Sequence, residues 1–199
     1  MKSSQIFLIC TLCLTSLSAF TFDKWESGIE LSEAIDTARD NNIPIAKEGL
    51  GHGSKRFNWQ LLKDHKKYRN FYYRQELLGE TGKVNLYFTK DSKTLYKVKV
   101  RWVLTGQKTK EFQEMLYALL DKKYGNRSIV IPQNLGEYVF FKNRVWKPNS
   151  KTEVQTRSST SMVEVTYLDK EYEKENQNEL LQIKEKKKLQ IIVKDAGKF

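Results

Sequence analysis

Two runs of alternating apolar and polar residues in the middle of the chain constrain the fold most strongly. A strand places successive side chains on opposite faces, so a period of two over both runs indicates a half-buried β-hairpin. A short polar loop at Lys90, Asp91 and Ser92 joins the runs and favours antiparallel pairing. The residues expected to face the core are Val84, Leu86, Phe88, Tyr96, Val98, Val100, Trp102 and Leu104.

Four segments have the residue spacing of helices. They are residues 31–41, 58–68, 109–124 and 169–188. Ser32 is the predicted N-cap of the first helix, and Pro44 marks its exit. The last segment is expected to be a largely solvated helix, followed at 189–193 by a short strand or by residues that pack down. In the third helix the predicted core face consists of Phe112, Met115, Leu116 and Leu119, with Gly125 as the C-terminal stop.

Three more strands are predicted at 138–146, 152–157 and 162–167, and their short connections imply antiparallel neighbours. The predicted fold class is α+β: an antiparallel sheet of about five strands with a helix packed across it, in the order α-α-β-β-α-β-β-β-α. We divide the chain into a signal peptide at 1–19, a mainly helical segment at 20–80, and the sheet with its helices at 81–199. The last two segments are expected to form one compact unit.

The first 19 residues have the order of a cleavable export signal. Lys2 precedes an apolar run at 6–17, and small residues end at Ala19. At about 1.5 Å per helical residue, this run cannot cross a hydrocarbon layer of about 30 Å, so we expect no transmembrane span. Cleavage after Ala19 predicts a periplasmic or extracellular protein. Cys10 and Cys13 both fall in the predicted signal, so the mature chain is expected to have no thiol.

The positive charge is concentrated in one third of the chain. The whole chain carries a net charge of +11, and residues 47–110 alone carry the same net charge. Such a region attracts polyanions, although blocks of charge also serve solubility alone. Opposite the apolar side of the hairpin, basic residues are expected at intervals of about 6.8 Å, at surface positions where glutamine would alter folding little. The anion-binding candidates are Lys83, Lys97, Lys99 and Arg101, with Asn85 and Tyr87 alongside.

Few residues have the pattern of a catalytic or cofactor site. His52 and His65 are the two histidines, and they lack the close pair that zinc sites use. The glycine-rich stretch at 49–55 has neither the spacing of a phosphate-binding loop nor an apolar strand before it. No serine has the glycine-flanked frame of a hydrolase nucleophile. We therefore predict no catalytic residue, no metal site and no cofactor.

These features favour an exported, non-enzymatic binding or accessory protein of the bacterial envelope. Its expected partner is an anionic envelope component or an acidic protein, bound through the basic sheet face. The alternative is a hydrolase of envelope polymers that uses carboxylates which the sequence does not locate. No specific nucleic-acid partner is expected, because few aromatic residues on that face could stack on bases. The mature protein is expected to be a monomer.

Overall fold

The computed structural model of the chain describes residues 19–47, 69–125, 128–134 and 140–196. Helices and strands within these ranges form a mixed α+β fold, as the sequence predicts. The helices are α1 Leu31–Asp40, α2 Gln107–Tyr124 and α3 Lys170–Ala196. The strands are β1 Thr21–Phe22, β2 Trp25–Glu26, β3 Ala46–Lys47, β4 Asn70–Leu77, β5 Glu80–Phe88, β6 Leu95–Val103, β7 Ile129–Asn134, β8 Phe140–Trp146, β9 Thr152–Ser158 and β10 Met162–Asp169.

One antiparallel sheet contains most of the strands. Its order is β3-β4-β5-β6-β10-β9-β8-β7, and β1 pairs with β2 in a separate two-stranded sheet. The antiparallel pairing is confirmed, whereas the sheet has more strands than the sequence predicts. Strand β10 lies between β9 and β6, so the last strand of the chain joins the two halves of the sheet. Residues far apart in the sequence therefore meet along the β6–β10 pair.

The β5–β6 hairpin has the predicted alternation except at Tyr96, where a register shift beside Phe88 places Leu95 in the core in its stead. Its buried side consists of Val84, Leu86, Phe88, Leu95, Val98, Val100 and Trp102. Trp102 packs on Phe112 of α2, with ring centroids 4.9 Å apart. Gly82 makes room for the indole, because a Cβ there would lie 2.9 Å from Nε1 of Trp102. The hairpin is thus fixed against α2 on one side and leaves its other side to polar residues.

A single hydrophobic core joins the N-terminal residues, α1, α2 and the sheet. Phe20 and Phe22 pack near Tyr167 of β10, with ring centroids 6.2 Å and 5.2 Å away. The indole Nε1 of Trp25 donates a hydrogen bond to the hydroxyl of Tyr73 at 2.9 Å. Residues that follow the predicted signal peptide are therefore part of the packed fold. Residues 1–18 of that peptide lie outside the described residues.

The predicted N-cap of α1 is wrong. Glu30 is the N-cap, and Ser32 lies inside the first turn of the helix. The N–H of Leu31 donates to the carbonyl of Lys93, so the hairpin loop satisfies a group that a cap would otherwise serve. The four residues on the buried face match the predicted ones: Leu31, Ala34, Ile35 and Ala38.

Helix α2 is rotated relative to the predicted face. Met115 and Leu119 were expected in the core, but they are 42% and 43% exposed. Tyr117 is buried instead, and its ring centroid lies 6.1 Å from that of Trp146 on β8. This aromatic contact turns the helix so that its buried residues are Thr109, Phe112, Leu116, Tyr117 and Leu120. Gly125 ends the helix at a positive φ of 84°, as predicted.

Helix α3 is longer than the sequence predicts. It continues without a break through Leu189–Val193, so neither the predicted short strand nor the predicted packing of these residues is present. Their large apolar side chains are 61–71% exposed. Acidic residues in the first turn suit the helix dipole, which stabilises the start of a helix that has few packing contacts of its own.

The residue pattern does not predict β4 or β7. Residues 20–80 were expected to be mainly helical, but their described part contains α1 together with strands β1 to β4. In β4, Phe71 and Tyr73 face the core, while the aromatic Tyr72 occupies the intervening position and hides the alternation. The glycine-rich segment at 49–55 and the predicted helix at 58–68 lie outside the described residues.

The observed face of α2 predicts unequal effects for two leucines on the same helix. Leu116→Ala should lower the free energy of unfolding by about 3 kcal/mol, because a buried side chain is truncated and a cavity remains. Leu119→Ala should cost less than about 1 kcal/mol, since Leu119 is largely exposed. Urea denaturation followed by tryptophan fluorescence measures both values. Equal costs would contradict the observed rotation of the helix.

The buried tyrosines predict a loss of stability at alkaline pH. Burial raises the pKa of Tyr73 from 10.0 to about 12, an effect that the hydrogen bond from Trp25 partly offsets and the charge of Asp23 reinforces. Burial also raises the pKa of Tyr167. A folded pKa above the unfolded one gives stability that is complete below pH 10 and falls as pH rises towards 12.

Tyr73→Phe should therefore reduce the slope of unfolding free energy against pH in this alkaline window. It should also lower stability at neutral pH by about 1 kcal/mol, because Trp25 loses its hydrogen-bond acceptor. Urea titrations across the window give both quantities. Parallel pH profiles for the native chain and the variant would show that Tyr73 does not carry the effect.

Candidate functional site

The sheet surface opposite α1 and α2 carries the polar positions of four neighbouring strands, and we call it the polar face. Its register pairs Lys83 with Arg101 and Tyr87 with Lys97. All four predicted anion-binding candidates lie on this face. Its members are Lys83, Asn85 and Tyr87 of β5, Lys97, Lys99 and Arg101 of β6, Glu164, Thr166 and Leu168 of β10, and Glu153, Gln155 and Arg157 of β9.

Glu164 binds two of the candidates. Its Oε1 is 3.0 Å from Nζ of Lys99, and its Oε2 accepts from Nη2 and Nε of Arg101 at 2.8 Å and 2.9 Å. Glu164 is only 5% exposed, and the strand register places it directly opposite Arg101. A buried carboxylate depends on such partners. From these contacts we expect glutamine at either basic position to destabilise the fold, contrary to the prediction from the sequence.

The other two candidates lie over tyrosine rings. Nζ of Lys83 is 4.4 Å from the ring centroid of Tyr72, and Nζ of Lys97 is 4.3 Å from that of Tyr87. The ring centroid of Tyr96 is also near Nζ of Lys97, at 5.3 Å. Neither ammonium group forms an ion pair with a residue that the structure describes. Neither lysine is therefore tied to a carboxylate of the described residues.

The environment of Lys97 disfavours its own charge. Burial lowers the pKa of Lys97 below the ordinary lysine value, and the like charge of Lys99 lowers it further. Glu173 and Glu164 act in the opposite direction without cancelling the shift. An anion beside Lys97 would supply the missing counter-charge and raise this pKa again.

A pocket of about 340 Å³ opens in the polar face at Thr166. Lys99 and Gln155 flank Thr166 across the neighbouring strands, and Glu164 and Leu168 flank it along β10. Threonine is shorter than each of these neighbours, so the surface sinks at its position. The volume lies at the lower end of the range for small-molecule sites. The other lining residues are Lys97, Thr156, Arg157 and Glu173.

Helix α3 brings Glu173 to the pocket. The preceding strand ends at Asp169, whose Oδ1 accepts the N–H groups of Glu171 at 3.0 Å and Tyr172 at 3.2 Å, as an N-cap does. The ring of Tyr172 packs against Gly28, where a Cβ would lie 3.3 Å away. Since the strand passes into the helix without a loop, Glu173 is held at a set position relative to Thr166.

Three basic and two acidic side chains line the pocket, which gives it a formal excess of one positive charge. The sequence does not indicate Glu164, Thr166 or Glu173 as site residues, because they lie far along the chain from the hairpin. One available signal was the position of Glu164 between Val163 and Val165 in a predicted strand, where an acid faces a sheet surface. Within the described ranges, no group of histidine, cysteine, aspartate or glutamate side chains is arranged to hold a metal ion.

Comparison with known proteins adds no relative from which a site could be transferred. No protein-family model, curated protein or solved structure matches the chain. Of the helices in the described part of the chain, none combines the length and apolar character required to cross a membrane. The polar face is therefore the feature from which a function is inferred.

The buried carboxylate predicts a different role for each pair of basic residues. The double variant K99Q/R101Q should lower the free energy of unfolding by about 3 kcal/mol, because Glu164 loses both cationic partners. Adding E164Q should restore most of that loss, since no buried charge remains. The variant K83Q/K97Q should cost less than about 1 kcal/mol, as is usual for surface positions. Urea denaturation tests all three, and a stable K99Q/R101Q variant would contradict this role of Glu164.

Proposed function

We propose that the chain is an exported, non-enzymatic binding or accessory protein of the bacterial envelope, which holds an anionic partner on its polar face. The observation that carries the proposal is the environment of Lys83 and Lys97. Both ammonium groups lie over tyrosine rings on the sheet surface, and no carboxylate in the described residues neutralises either of them.

An ammonium group over an aromatic ring keeps its capacity to bind an anion. The ring attracts the cation through its quadrupole and takes up none of the charge. The contact also limits the freedom of a long, flexible side chain, which reduces the entropy lost when a partner binds. The rings of Tyr72 and Tyr87 therefore support two lysines in positions from which they can bind an external anion.

The distribution of charge adds long-range attraction. Residues 47–110, which carry a net charge of +11, include β4, β5 and β6 and so supply one half of the polar face. A surface with an excess of one sign raises the rate of association with oppositely charged partners. Anionic lipid headgroups and acidic polysaccharides of an envelope are partners of this kind.

One observation favours the alternative function of an envelope-polymer hydrolase. Glu164 and Glu173 line the same pocket, and paired carboxylates are the catalytic groups of most glycoside hydrolases. However, Lys99 and Arg101 bind both oxygens of Glu164. A substrate would have to displace an ion pair to reach this carboxylate, so the pocket supports binding better than hydrolysis.

The proposal predicts salt-sensitive binding through two named lysines. The variant K83Q/K97Q should bind vesicles containing phosphatidylglycerol about 30-fold more weakly than the native chain, because a lysine near an anionic surface contributes about 1 kcal/mol. Native binding should weaken steeply between about 0.1 M and about 1 M salt, since the Debye length falls from about 10 Å to about 3 Å. Sedimentation with vesicles, repeated with heparin beads, measures both effects.

The matched control is K24Q/K122Q, which removes the same charge from two exposed lysines outside the polar face. Lys24 lies between β1 and β2, and Lys122 lies in the last turn of α2. This variant should bind within about threefold of the native chain, because screening weakens charges away from the contact surface. Equal binding by the native chain and both double variants would show that the polar face is not the docking surface.

A further inference from the structure

We propose that the pocket at Thr166 binds a small organic acid of the sugar-acid class, with one carboxylate and several hydroxyl groups. The inference rests on the proposed function, because it names the class of anion that the polar face recognises at one point. The size of the pocket, its charge and the donors and acceptors of its lining lead to this class.

The size of the pocket limits the ligand to a compact molecule or to one unit of a polymer. A volume of about 340 Å³ corresponds to about eleven water-sized groups, at about 30 Å³ for each. A single sugar acid has about that number of non-hydrogen atoms. The pocket opens onto the sheet surface between strands, so a sugar unit can enter it while the rest of a chain stays outside.

The basic side of the pocket determines where the carboxylate binds. Lys97 and Lys99 line this side, and they extend from alternate positions of β6. The charge of Lys99 is already paired with Glu164, whereas Lys97 has a tyrosine ring beneath it and no carboxylate partner among the described residues. A ligand carboxylate beside Lys97 therefore forms the ion pair that the protein itself does not provide.

Away from β6, the pocket has groups that accept hydrogen bonds from a ligand, beside its third basic residue, Arg157. The amide nitrogen of Gln155 donates to Oε1 of Glu153, which leaves its amide oxygen as the acceptor for a ligand. Glu173 is also an acceptor. The hydroxyl of Thr166 can donate or accept. Hydroxyl groups of a sugar match this set, because each can donate to one residue and accept from another.

Glu173 also restricts the ligand to a single negative charge. It forms no ion pair with the described residues, whereas Glu164 is already paired with Lys99 and Arg101. Glu173 repels a second negative charge, and the residues that line the pocket have an excess of only one positive charge. A sugar carboxylate therefore fits better than a sugar phosphate, which is mostly a dianion above about pH 7.

Calorimetric titration of the native chain at about pH 8 tests the ligand class with three probes: glucuronate, glucose and glucose 6-phosphate. Glucuronate should bind at least about tenfold more tightly than glucose, which lacks the charge, and more tightly than glucose 6-phosphate, which carries a second one. Tighter binding of glucose or of glucose 6-phosphate than of glucuronate would overturn the proposal.

The variant T166Y tests the location of the site. Tyrosine is favoured in strands and fills the pocket, so glucuronate affinity should fall at least about tenfold. The matched control T81Y places the same side chain at an exposed position of β5 outside the pocket and should bind glucuronate as the native chain does. Unchanged affinity in a folded T166Y variant would overturn the assignment.

A second variant keeps the test independent of how well the enlarged side chain is accommodated. E173Q retains the size of the side chain and removes one repulsive charge, so glucose 6-phosphate should gain affinity relative to glucuronate. An unchanged preference would contradict the role assigned to Glu173.

Vesicle binding separates this inference from the proposed function, because T166Y retains Lys83 and Lys97 and should bind vesicles normally. If the native chain binds vesicles but does not bind glucuronate, the assignment of the pocket ligand is wrong and the proposed function still stands.

Discussion

Three like charges at alternate positions of β6 are the constraint on which the polar face depends. Lys97, Lys99 and Arg101 lie about 6.8 Å apart along the strand, while the intervening residues are buried in the core and fix the strand in place. The structure relieves the repulsion in two ways. Glu164 pairs with Lys99 and Arg101, and Tyr87 lies under Lys97. The position of β10 beside β6 is what makes the first of these contacts possible.

The parts of the fold that the sequence predicts are those with a clear period. The hairpin has polar residues at alternate positions over both strands, so the sequence predicts its buried side except at the register shift, where Leu95 and not Tyr96 enters the core. Strand β4 lacks that contrast, because Phe71, Tyr72 and Tyr73 are consecutive aromatic residues. In α2, Leu119 satisfies the helical spacing, but the contact between Tyr117 and the distant Trp146 decides which side is buried. The spacing of residues within one helix does not predict tertiary packing of this kind.

The candidate site shows the same division between local and distant information. Alternation within β5 and β6 predicts which basic residues share a face, and the structure places all four there. The alternation does not predict the partners of these residues. Glu164 comes from β10, which lies next to β6 only because of the long-range order of the strands in the sheet. The pocket depends further on the short side chain of Thr166 between longer neighbours. Such a depression can be predicted only when the register of all three strands is known.

Helix α3 connects the two ends of the polar face and makes the pocket rigid. Asp169 caps the start of the helix, and ten residues later Glu179 accepts the N–H groups of Asp91 and Ser92 in the hairpin loop, at 2.8 Å and 3.0 Å. Burial alone would raise the pKa of Glu179. The hydrogen bonds from these N–H groups outweigh that effect, so the pKa of Glu179 is lowered on balance. Glu173 lies between the two attachments, so its carboxylate stays near Thr166 before any ligand arrives. A site built on a strand and a tethered helix loses little freedom on binding, and this preorganisation is what allows a shallow, polar pocket to discriminate between ligands.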